Sequence, residues 1–448
     1  MTGPVALTLA AVMTGDASTL NLTPDGNTPN AVRAMRSLVL IGAVIRIASW
    51  LSKWNEPVGI YDAWYYSDQA YQLTHGRLFR EVLVDLPSAD HGPLTSILMA
   101  PVSWGDDFVR WQRLVTVICG ITTVWLLGQI GRRLGGDRLG VIATGIAAFS
   151  PILWISDGLV MSESVGMLAV STVMWFALAA VEDGGRRSTV VLGIALGLAA
   201  LARSELALLI PAVVLWLAVA RWRRREGGLR TIARGALPAL IAALVVLGPW
   251  VGFNLARFER PVFLTTNEAG TLLGANCDDS YSAIGDGAGG WSVFCIFEDP
   301  EYYYGEEPSV RAARQRSLAA DYVREHLDEV PRVIAARVLR SLDLYGLRDL
   351  VRGDVGEGRT RWVAWAAVGT FWLTAPAALF GARRLRRRDR WLLLLPIALV
   401  LFTTVVFYGG HRIRSSAEPS LVLLAAAGIA QLKGGRFRTR EVKTAVST

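Results

Sequence analysis

Apolar residues in this chain fall in long continuous blocks, not in the short alternations of a half-buried strand. The blocks run to about 17–23 residues, the length that crosses a bilayer as a helix. Ten spans are expected, at about 37–54, 109–131, 139–155, 163–181, 189–203, 205–220, 232–253, 361–382, 391–408 and 416–432. The pattern predicts an all-α integral membrane bundle, since only helices satisfy their own backbone in lipid here. Two polar stretches interrupt it: a first outer loop, 55–107, and a long outer segment, 254–356. Within the first, PLTSILMAPVSW (93–104) is apolar but too short to cross, so it is expected to lie at the interface or re-enter. Within the second, 309–342 has helical spacing broken at Pro331, where a new helix is expected to start. Residues 1–36 read as a disordered cytoplasmic tail, 37–432 as the transmembrane domain and 433–448 as a basic cytoplasmic tail.

Composition agrees: 52% of the 448 residues are hydrophobic. The net charge of +8 changes the picture only through its placement. Basic runs such as GRRLGGDR (131–138), RWRRREGGLR (221–230), RRLRRRDR (383–390) and KGGRFRTR (433–440) sit at span ends. Short basic loops on one side are a topology signal, so no nucleic-acid partner is expected. Both termini then face the cytoplasm of a plasma-membrane protein, and the two outer regions face outside. In 254–356 acids outnumber bases. Of three cysteines, Cys119 lies in a span, while Cys277 and Cys295 share the outer segment. A disulfide suits that compartment, and the sequence leaves it open. No Cys/His cluster has zinc spacing, and no metal ligands are assigned.

Candidate chemistry gathers at the outer ends of the spans. The first loop supplies Asp62, Tyr65, Tyr66, Asp68, Asp90 and His91, and later turns supply Asp157, Glu163, Arg203 and Glu205. The long segment adds Asn254, Arg257 and Asn267, and the last turn adds His411, Arg412, Arg414 and Glu418. Charges at that depth are costly unless paired or solvated, and a shared outward cavity relieves the cost for all of them. Arginines and a histidine suit a phosphate, and a carboxylate facing them suits a general base. Together they suit group transfer from a lipid phosphate to a hydroxyl. Tyr65, Tyr66 and Tyr71 read first as interface anchors, with Tyr66 also a candidate substrate contact. Arg46, alone in mid-span, is either functional or a tie to another helix.

Several ordered stretches resemble one family. YDAWYYSDQAYQLTHG (61–76), DHGPLTSILMAP (90–101), SPILWISDGLVMSES (150–164), GLAALARSELALLIPA (197–212), GPWVGFNLARFERPVFLTTNEAGTLLGAN (248–276) and HRIRSSAEPSLVLLAAAGI (411–429) resemble segments of GT-C superfamily glycosyltransferases. The likeness is to the protein O-mannosyltransferase and lipid A aminoarabinose transferase type. It implies an inverting transfer of a sugar from a polyprenyl-phosphate donor to a protein or glycan hydroxyl on the outer face. Asp62 stands where the resemblance puts the catalytic aspartate. Ala63 follows it where many relatives have a second acid, which makes Glu163 or Asp157 the expected second carboxyl. Gly92 replaces a Pro of the family's His-Pro-Pro-Leu segment. Arg412, Arg414, His411 and His91 are the expected phosphate ligands. Tyr66, Asp157, Arg203, Glu205 and Asn267 are expected to line the substrate. Some relatives use a divalent cation, but nothing in the chain fixes one. Two other readings stand beside this one. A flippase for polyprenyl-linked intermediates needs polar groups through the whole membrane, and an assembly subunit needs no Asp62 chemistry.

Overall fold

The computed structural model describes residues 29–59, 61–223, 229–282, 287–303 and 305–432. The expected tail 433–448 and most of 1–36 lie outside the described residues. The described part of that tail is helical: α1 is Pro29–Ser52, beginning earlier than 37. Pro29 suits a first helical position, where no backbone donor is needed.

Among the described residues the fold is helical, with only an isolated bridge between Arg80 and Pro87. Helix α2 is Tyr61–Thr74, α3 Phe108–Phe149, α4 Glu163–Asp183, α5 Arg186–Ala202, α6 Leu209–Arg223 and α7 Leu229–Leu255. In the outer segment α8 is Asn267–Ala275, α9 Pro308–Glu325, α10 Val330–Ser341 and α11 Leu347–Gly356. Helices α12 (Arg361–Arg384), α13 (Arg387–Val406) and α14 (Glu418–Leu432) close the chain. Seven helical stretches are long and apolar enough to cross a membrane by length and composition. One of them, α3, covers two expected spans. It breaks at Gly135 and Gly136, where Gly136 has φ +80°, a conformation that favours glycine. The chain folds back there, so Gly128 faces Thr144 and Gly131 faces Gly140 and Ala143. Helices α5 and α14 are shorter than the seven and cover the expected fifth and tenth spans.

Small residues set the helix spacing. A Cβ on Gly381 of α12 would stand 1.9 Å from Leu424 O, and one on Gly428 of α14 would stand 2.1 Å from Ala377 O. Such close backbone approach drives association where lipid removes the hydrophobic term. Leu215, Val245, Leu373 and Leu379 remain largely exposed on the outside of the bundle. That is the surface a bilayer would cover, and the chain is a multi-pass membrane protein.

The polar regions follow the expected breaks. The stretch 93–104 forms a short helix, Leu94–Met99, and a 3-10 turn, Ala100–Val102. Helix α9 stops before α10, which carries Pro331 in its first turn. Cys277 and Cys295 form a disulfide. Arg314 of α9 grips Asp299 at 2.8 Å and also pairs with Glu306, which pins the segment between disulfide and helix.

Candidate functional site

Side chains from five separate parts of the chain meet around Arg412. Asp62 lies in the first turn of α2, where a helix N-terminus favours an acid. Glu163 opens α4, and Arg203 sits between α5 and the 3-10 turn Ser204–Leu208. Glu357 and Arg359 follow α11. Arg412 is in a short helix, His411–Arg414, after a Gly-Gly turn. That turn packs tightly on α10: a Cβ on Gly409 would stand 2.1 Å from Arg337 O.

Each guanidinium nitrogen of Arg412 donates to a different carboxylate. Nη2 reaches Asp62 Oδ2 at 2.6 Å, Nε reaches Glu163 Oε1 at 2.9 Å, and Nη1 reaches Glu357 Oε1 at 3.3 Å. Glu163 Oε1 also accepts from Arg359 Nη2 at 3.3 Å and lies 3.9 Å from Arg203 Nη1. Arg203 Nε donates to Glu205 at 2.5 Å, and Arg359 pairs with Glu357 and with Asp354. Glu163 and Arg359 form a buried floor, with side chains 1% and 2% exposed, whereas Arg412, Asp62 and Glu357 are 17–20% exposed at the rim. On the other side of Asp62, His91 Nε2 lies 3.4 Å from Oδ1. The His91 ring stacks on Tyr66 at 5.0 Å and meets Tyr65 edge-on. Burial would raise the Asp62 pKa, but Arg412 and then His91 outweigh it and hold the carboxyl well below the usual range. Asp62 is therefore an anion at neutral pH. Tyr408 packs beside the Arg412 turn, where a Cβ on Gly410 would stand 3.2 Å from its ring.

The structure thus brings together Asp62, His91, Tyr66, Glu163, Arg203, Glu205 and Arg412. It places other expected residues elsewhere. His411 and Arg414 belong to a buried ladder that leads away from the site. His411 Nδ1 bonds Asp354 at 2.6 Å and Nε2 bonds Asp343 at 2.8 Å. Arg414 donates to Asp343 at 2.7 Å and to Glu418 at 2.8 Å, with Phe371 beneath its guanidinium. With both ends of each side chain held by acids, these two serve the packing of α10, α11 and α14. Asp157 is fully buried against Arg46 at 2.8 Å and accepts from Ser164 at 2.5 Å. Arg46 also donates to the Gly42, Ala147 and Ala148 carbonyls, so it is a tie between helices and does not line a polar route. Asn267 heads α8 beside Thr266, whose hydroxyl donates to Asp90 at 2.9 Å. Asp90 in turn accepts from Tyr61 at 3.2 Å. Tyr65 and Tyr66 are buried, not lipid-facing anchors, because they wall in His91; of the three expected anchors, Tyr71 is the exposed one. Among the described residues no group of three or more His, Cys, Asp or Glu side chains is arranged to hold a metal ion. A guanidinium, that of Arg412, sits among the carboxylates instead.

Sequence reasoning missed Glu357, Arg359, Tyr408, Asp343 and Asp354. The stretch GDVGEGR (353–359) reads as a hydrophilic loop, where charges are cheap. Its signal was position: it abuts α12 just as Arg412 abuts α14.

The ladder has a pH signature. Burial would lower the His411 pKa, but Asp354 and Asp343 outweigh it and raise it from 6.5 to about 9. The folded state binds this proton more tightly than the unfolded chain, so its stabilisation is complete below pH 6.5 and lost as pH rises through about 9. The unfolding temperature of detergent-solubilised protein should fall over that window, and His411→Gln should lack the step.

The sequence model of the family described as dolichyl-phosphate-mannose-protein mannosyltransferase matches residues 96–252. No curated protein matches the chain. Among solved structures, the archaeal oligosaccharyltransferase AglB from Archaeoglobus fulgidus, in complex with an inhibitory peptide and a dolichol-phosphate, aligns with a TM-score of 0.53 and 16% identity. It covers 88% of this chain and 50% of that one. The apo form of the Archaeoglobus fulgidus oligosaccharyltransferase aligns at 0.56 and 14%, covering 89% and 50%. ArnT from Cupriavidus metallidurans bound to undecaprenyl phosphate aligns at 0.43 and 14%, covering 88% and 77%. The chain spans about half the length of the oligosaccharyltransferases it matches.

Proposed function

We propose that the chain is a membrane glycosyltransferase of the GT-C type, which moves a sugar from a polyprenyl-phosphate donor to an acceptor hydroxyl on the extracytoplasmic face. Asp62 is the general base. One observation carries this reading: the Asp62 carboxyl from the first loop and the Arg412 guanidinium from the last turn, 350 residues apart, meet at 2.6 Å at a partly open rim.

The chemistry follows from the residues present. The acceptor oxygen attacks the anomeric carbon while Asp62 takes the hydroxyl proton. The bond from that carbon to the donor phosphate oxygen breaks, through an oxocarbenium-like state, and the electron pair leaves with the phosphate. Arg412, with Arg203 beside it, holds the charge that develops there. With one base and a phosphate leaving from the opposite side, the transfer is a single inverting displacement. Glu163 is a positioning residue in this scheme: its Oε1 sets Arg412 and Arg359 from a buried floor. His91 stands on the acceptor side of Asp62. The acceptor is a protein or glycan hydroxyl.

The outward orientation has a direct test. Leu327 is exposed in the outer segment, and Arg187 is exposed at the opposite expected face. In intact cells a membrane-impermeant maleimide should label Leu327→Cys and leave Arg187→Cys unlabelled until the membrane is opened. The reverse pattern would place the site on the cytoplasmic face and end this reading.

A further inference from the structure

The cluster has no cation to spare. Three arginines, Arg203, Arg359 and Arg412, stand among four acids, Asp62, Glu163, Glu205 and Glu357, and every one of the three is bonded to at least one of the four. A phosphate entering this site must compete with carboxylates for these guanidinium groups. Of the carboxylate contacts, those to Glu163 lie on the buried floor. The Asp62–Arg412 contact lies at the rim, and both partners are among the more exposed groups of the cluster. It is also the contact that keeps the base idle. While Oδ2 accepts from Arg412 Nη2, the carboxylate is poorly basic and one of its oxygens is taken.

We propose that Arg412 is a latch exchanged between Asp62 and the donor phosphate, so that donor binding itself frees the base. The inference rests on the function proposed above and adds an order of events to it. The phosphate takes Nη2, Glu163 and Glu357 keep Nε and Nη1 and so hold the guanidinium plane in register, and Asp62 is left with His91 and an open oxygen toward the acceptor. Glu357 thereby acquires a role: it is a positioning residue that keeps Arg412 from following the phosphate. The device also explains why an arginine stands here. A lysine offers a point charge and cannot hold two carboxylates in fixed directions while a third partner changes.

The test is binding of undecaprenyl phosphate to purified protein in detergent, which needs no turnover. Asp62→Asn keeps the shape and can still accept one hydrogen bond but no longer holds the cation. If Arg412 must leave Asp62 to bind phosphate, this variant binds undecaprenyl phosphate more tightly than wild type, by about tenfold, the loss of one charge-assisted competitor. The gain should vanish when the same change is made in an Arg412→Gln background, since the coupling runs through that side chain. Glu357→Gln leaves the Asp62–Arg412 contact in place and is the control variant, expected to bind undecaprenyl phosphate no more tightly than wild type. Equal affinity of wild type and Asp62→Asn, or the same gain in Glu357→Gln, overturns the latch and leaves the donor assignment standing. A gain that persists without Arg412 is a general charge effect and also overturns it. No binding of undecaprenyl phosphate to wild type removes the donor assignment, and the latch with it.

Discussion

Asp62→Asn should abolish sugar transfer, lowering kcat by about 10³-fold or more, while the protein remains folded and inserted. Asparagine fills the same volume and accepts a hydrogen bond from Arg412 through its amide oxygen, so the guanidinium stays with Glu163 and Glu357. What it lacks is basicity. No other carboxylate substitutes readily: Glu163 lies on the buried floor under two arginines, and Glu357 faces Arg412 and Arg359. The measurement is turnover at matched protein amounts, with gel-filtration profile and unfolding temperature as controls. An assembly subunit would tolerate this change, and so would a flippase whose polar route does not use Asp62.

Arg412→Gln should be nearly as damaging, for a different reason. The departing phosphate loses the cation that meets its developing charge, and removal of one such donor typically costs about 10²–10³-fold in kcat. Glutamine also strands Asp62, Glu163 and Glu357 with less cationic cover, so their mutual repulsion adds to the loss. Arg412→Lys should fall between the two, because it restores charge without the three-directional bonding. Kinetics with a donor titration separate the effects: Gln should raise KM as well as lower kcat, whereas Asp62→Asn should leave donor affinity no weaker than wild type.

Much of the fold was legible because bilayer thickness imposes a length on apolar runs, and ten such runs correspond to helices. The hairpin within α3 shows the mechanism well: GRRLGGDR carries both the charge and the glycines that the reversal needs. The start of α1 at Pro29 was missed because its polar first turns carry no length signal. In the site, Asp62, His91, Glu163, Arg203, Glu205 and Arg412 could be found because each is a costly charge or polar group at the end of an apolar span. That criterion sees depth and not direction. It therefore collected His411, Arg414 and Asp157 too, which lie at the same depth but face Asp343, Asp354, Glu418 and Arg46. Glu357 and Arg359 escaped because a charged residue in a loop looks solvated until the tertiary fold buries it. Arg359, with a side chain 2% exposed, is the clearest case.

The most direct test is release of free polyprenyl phosphate from a panel of labelled polyprenyl-phosphate sugars by reconstituted wild type and by Asp62→Asn. The account predicts that wild type consumes at least one donor of the panel and that Asp62→Asn consumes none above background. Equal consumption by the two proteins, or intact donors throughout with wild type, would contradict it.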